Sequence, residues 1–137
     1  MIDRYEEHED RKEEELKRAD HLIYVTLKYT RTVDVMKNII KRFISAFDLA
    51  VSESLTKYKI KPNKVAQLRF KQLEKKKPEV KKYFTFYLLL KKIDKAKFTG
   101  REEYRKNVCL VTDKAEVTVD ILKEYFEKTK EFVNLVS

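Results

Sequence analysis

VDVMKNIIKRFISAFDLAVSESLTKY, residues 33–58, carries the widest apolar face in the chain. Val33, Met36, Ile40, Phe43, Phe47 and Ala50 recur at the three- and four-residue steps of one helical side. Ile39, Ile44, Val51 and Leu55 broaden that stripe on both flanks. A face this wide predicts a helix at the centre of a core, with Thr32 as its cap and Asp34 at the positive end of its dipole.

Upstream, Leu16, Ala19, Leu22, Ile23, Thr26 and Leu27 form the stripe of a first helix, about 9–30, with acidic residues crowding its opening turns. No glycine or proline separates it from the second helix. The sequence therefore admits either a helical hairpin or one rod of about 70 Å. The hairpin is favoured, because a rod would leave the wide face uncovered.

Downstream, Pro62 and Asn63 punctuate the chain before a third helix at 63–76. Pro78 opens a fourth, running to about Phe98 and packed through Val80, Tyr83, Phe84, Tyr87, Leu88 and Leu90. Gly100 is expected to end it in the left-handed conformation. Residues 101–106 fit a short helix. Val108–Thr112 and Glu116–Asp120 are β-branched runs suited to a small hairpin or an extended loop. The closing helix spans 121–136, capped by Thr118 or Asp120, with Leu122, Tyr125, Phe126, Thr129, Phe132, Val133 and Val136 on one side. The expected fold is one mainly α domain over residues 1–137, an up-and-down bundle of four to five helices.

Composition narrows the function classes. One glycine and two prolines in 137 residues cannot supply a phosphate-cradling loop or the turns of a sandwich or barrel. Cys109 is the only cysteine, and no apolar run is long enough to span a bilayer, so the expected location is the cytoplasm, with no membrane partner. Charged residues make up 40% of the chain, a Lys- and Glu-rich bias of thermophile type. His8, His21 and Cys109 show no metal-ligand spacing, so neither a metal nor a cofactor is expected. Cys109 lies in an apolar run that reads as a buried, inert thiol, and His21 as a surface histidine.

The net charge of +9 is unevenly placed. Residues 1–15 hold eight acids against three bases, whereas 57–82 hold eleven bases against two acids. The second stretch includes Lys71, Lys75, Lys76 and Lys77. Such a field attracts RNA, DNA or an acidic protein surface, and a merely solubilising lysine face is the plain alternative. In Phe98–Asn107, Arg101, Arg105 and Lys106 stand beside Tyr104, a mixture suited to phosphate contacts and base stacking.

The helix order, with Leu16-Lys-Arg-Ala19 early, the long second helix, an arginine motif late and Thr129-Lys-Glu-Phe132-Val133 at the close, resembles the HEPN superfamily of helical bundles. The resemblance implies a homodimer acting on RNA, with Arg101 in the place of the arginine of the ribonuclease motif. The histidine expected a few residues later is Asn107, which can bond a phosphate but cannot act as a general acid or base. The expected function is RNA binding through Arg101, Tyr104, Arg105, Lys106 and Asn107, with little or no nuclease activity. A protein–protein adaptor or structural subunit with a basic docking face is the other reading.

Overall fold

The computed structural model describes residues 11–137. Helix α1 (Arg11–His21) runs into a π-helical turn (Leu22–Thr26) and a last α turn (Leu27–Tyr29). Thr30 leaves the helical region at φ −126°, and Thr32 caps helix α2 (Val33–Lys57), its Oγ1 accepting from Val35 N at 3.4 Å. Residues 11–57 thus form a helical hairpin, as the breadth of the α2 stripe predicts. Lys12 with Glu53 (2.7 Å) and Arg42 with Glu15 (3.1 Å) tie its two arms.

Helix α2 ends without a glycine. Lys59 takes φ 59°, Ile60 N donates to Leu55 O and Lys59 N to Thr56 O, which closes the last turn on its own carbonyls. Asn63 forms a turn with Val65 N before helix α3 (Ala66–Lys76) begins. Pro78–Val80 is a single 3₁₀ turn leading into helix α4 (Lys81–Lys95).

Here the structure corrects the sequence reading. Helix α4 stops at Lys95, and Phe98–Arg101 is strand β1, paired antiparallel with β2 (Cys109–Thr112), which pairs with β3 (Glu116–Thr118). The expected small hairpin is present as β2–β3, and β1 extends it to a three-stranded meander. Lys37 ends α4 from outside, donating Nζ to the carbonyls of Ile93 and Asp94. Residues 102–107 are turns rather than a helix. Gly100 is also not left-handed; it sits in β1 opposite Leu110. A Cβ there would meet the carboxylate end of the Glu103 side chain, which would have to swing aside. The left-handed residues of this region are Glu102 (φ 54°) and Tyr104 (φ 67°).

Helix α5 (Val119–Val136), capped by Thr118 through Ile121 N, completes five helices among the described residues. The core is aromatic where α2, α3, α4 and α5 meet. Phe47 stacks on Phe132 at 4.3 Å between ring centres, and Phe70 reaches Phe132, Tyr87 and Phe84 at 5.1–5.4 Å. All of the α2 stripe is buried within this one chain. No helix among the described residues is long and apolar enough to cross a membrane.

Candidate functional site

A cleft of about 680 Å³ opens between the end of the first helical rod, the sheet and the start of α5. Its floor is apolar: Ile23, Leu27, Val108 and the Cys109 thiol are buried there. Its rim is basic. Lys28 comes from the terminal turn of the rod, Arg31 from the link to α2, Arg101 from β1, Lys106 from the loop and Lys123 from α5. Against these five cations stand two carboxylates, Glu102 and Asp120.

Of the residues singled out in the sequence, Arg101, Lys106 and Asn107 meet at this cleft. Their states differ. Arg101 is engaged across the sheet by Glu116 in a two-pronged pair of 3.1 and 3.2 Å, and its guanidinium lies 3.6 Å from Cys109 Sγ. The pair holds the Glu116 carboxyl below its ordinary range, through hydrogen bonds first and charge second. Lys28, Arg31, Lys106 and Lys123 have no ion pair among the described residues, and Lys123 Nζ stands 5.4 Å from the ring centre of Tyr24. Tyr104 and Arg105 project from the adjoining loop, both exposed, and Tyr104 N donates to Arg31 O at 2.7 Å.

The lysines of α3 and its exit lie elsewhere. Lys77 donates to Leu135 O, near the far end of α5, whereas the cleft is built on Val119 and Lys123 at the near end. At 1.5 Å per residue these two ends are about 24 Å apart. Lys71 is paired with Glu74 and lies 4.1 Å over the Phe84 ring, while Lys75 and Lys76 are exposed. The basic middle and the Arg101 region are thus two separate surfaces.

The cleft also recruits residues that the sequence reading passed over. Tyr24, Lys28 and Arg31 recur at the spacing of one helical side, a basic–aromatic stripe legible in the sequence but overshadowed by the lysine-rich middle. Lys123 carries no local signal, since only the packing of α5 brings it to the rim. His21 is exposed in a separate shallow depression beside Lys17, Arg18 and Arg42, and His8 lies outside the described residues. Among the described residues no three His, Cys, Asp or Glu side chains converge as metal ligands.

Comparison of the chain with protein-family models, curated proteins and solved structures finds no match.

Proposed function

We propose that this protein is a HEPN-like RNA-binding domain that holds the phosphate backbone in the cleft beneath Arg31 without cutting it. The observation that carries this reading is the convergence of Lys28, Arg31, Lys106 and Lys123 on one cleft with an apolar floor. Cations held from four segments, with no acidic partner among the described residues, are the footprint of a polyanion site. Asn107 at the rim can donate to a phosphate oxygen yet cannot carry a proton through a reaction, which favours binding over cleavage. A homodimer belongs to the same proposal. With the α2 face consumed inside the chain, a second copy would meet exposed side chains such as Val25 and Tyr29.

Fluorescence anisotropy with a labelled RNA, from about 50 to about 300 mM salt, tests the reading. Removal of one phosphate-binding cation should reduce the slope of log affinity against log salt by about 0.7 for a single strand. Arg31→Ala, Lys28→Ala and Lys123→Ala are each expected to show that reduction. Absence of binding at the lowest salt, or variants indistinguishable from the parent, removes RNA as the ligand.

One observation favours the adaptor reading instead. Val65 and Leu68 are half-exposed at the start of α3 amid its lysines, an apolar patch with a basic border that suits an acidic amphipathic partner. The acidic residues 1–15 of a second copy are one such partner; residues 1–10 lie outside the described residues, and Glu15 pairs with Arg42 of its own chain.

A further inference from the structure

Beside the cations of the cleft stand aromatic rings that the fold does not need. Tyr24 is 47% exposed and Tyr104 74% exposed, whereas Ile23 and Val108 nearby are buried. Scattered exposed tyrosines are ordinary. These two are distinguished by their backbones. Tyr24 lies within the π-helical turn Leu22–Thr26, the one π segment among the described residues. Tyr104 is left-handed at φ 67°, two residues after left-handed Glu102. Side-chain-bearing residues rarely adopt that conformation, and π turns within helices are frequent at functional sites.

The loop is also firmly fixed. Glu103 Oε1 accepts from Val33 N at 3.4 Å at the start of α2, and Tyr104 N donates to Arg31 O at 2.7 Å. The backbone of residue 104 is therefore held against that of a cleft cation while its ring stands in water. From α5, Lys123 Nζ reaches to 5.4 Å from the Tyr24 ring centre. The Tyr24 ring thus stands next to a cation able to hold a phosphate, and the Tyr104 backbone is bonded to that of a second one.

From this juxtaposition we infer that the ligand is single-stranded, with unpaired bases stacking on Tyr24 and Tyr104 while Arg31 and Lys123 hold the phosphates on either side. The inference rests on the RNA reading above and adds to it the strand form and the two residues that select it. A duplex hides the faces of its bases and offers only phosphates and hydroxyls, so the rings contribute nothing to its binding. A single strand exposes those faces, and stacking on an aromatic side chain is tolerant of sequence.

The test is titration of the full chain with three probes: a single-stranded RNA, a blunt-ended two-strand duplex of equal charge, and inorganic polyphosphate. Tyr104→Ala and Tyr24→Ala should each weaken single-strand binding about tenfold. Both should leave duplex and polyphosphate binding within about twofold. Tyr104→Phe and Tyr24→Phe, which keep the stacking face, should bind like the parent. Because the chain has eight tyrosines and no tryptophan, single-strand binding should also quench tyrosine emission, less so in the alanine variants. Alanine variants that bind the single strand as the parent does overturn the inference and leave the cleft as a charge-only site. Equal losses on all three probes also overturn it, assigning the rings a structural role. If the parent binds none of the probes, the RNA reading falls as well.

Discussion

At the scale of single residues, what a cation can do is decided by its neighbours more than by its type. Arg101 is the most conspicuous arginine in the sequence, yet its guanidinium is already matched, oxygen for nitrogen, by Glu116. Arg31 stands in no recognisable motif, yet no carboxylate engages it among the described residues. A phosphate approaching Arg101 therefore competes with a carboxylate of nearly ideal geometry. Glu116→Gln should remove that competitor and strengthen RNA binding about threefold near 50 mM salt, with a steeper salt slope. The melting temperature should hardly change, since both partners are exposed and such pairs add little to stability. Weaker binding by Glu116→Gln would mean that Glu116 positions Arg101 for the ligand instead of competing with it.

At the scale of elements, contacts between helices set both stability and its pH dependence. Tyr87 on α4 donates its hydroxyl to Asp48 on α2. Its phenol is pushed well above its ordinary value, by burial first and by Asp48 second. A raised value in the folded state means that the associated stability is fully present below the unfolded tyrosine value, near 10. It is lost as the pH rises from there towards the folded value. Denaturant unfolding from about pH 7 to about pH 11 should therefore show stability falling above about pH 10, more steeply in the parent than in Tyr87→Phe. At neutral pH that variant should be less stable by about 1 kcal/mol, the usual worth of one hydrogen bond. Identical alkaline slopes would mean that Tyr87 does not govern the alkaline transition. The same dependence on distant partners explains what the sequence could and could not convey. Helices α2 and α5 declare themselves because their stripes run for several turns and are buried as their periods require. The end of α4 is silent, because Ala96 and Lys97 would suit a continuing helix and the residue that stops it is Lys37, more than fifty positions away. Strand β1 is equally silent: all four of its residues are exposed, so no alternation marks it, and only pairing with β2 makes it a strand. Gly100 misled for a related reason, since the group that crowds it belongs to a loop whose path is tertiary.

At the scale of the whole molecule, two of the basic surfaces have different consequences. One is the cleft, where cations sit beside an apolar floor and the exposed Tyr24 ring, with Tyr104 on the adjoining loop. The other is the exit of α3, about 24 Å away along α5, where Lys75 and Lys76 face water. The α3 surface contributes a long-range field, which raises encounter rates with any polyanion and is screened beyond a Debye length of about 8 Å at physiological salt. The cleft acts at contact distance, where the form of the ligand matters. Charge reversal at Lys75→Glu with Lys76→Glu should therefore slow association with single strand, duplex and polyphosphate alike, by an amount that shrinks as salt is raised. The ratio of single-strand to duplex affinity should stay unchanged. Arg31→Ala should behave oppositely, mainly speeding dissociation and lowering that ratio, because it loosens the phosphates next to the stacked bases. Stopped-flow mixing at two salt concentrations separates the two cases. If the α3 reversal changed the ratio, the two surfaces would form one continuous binding track, and the cleft would be only its best-defined segment.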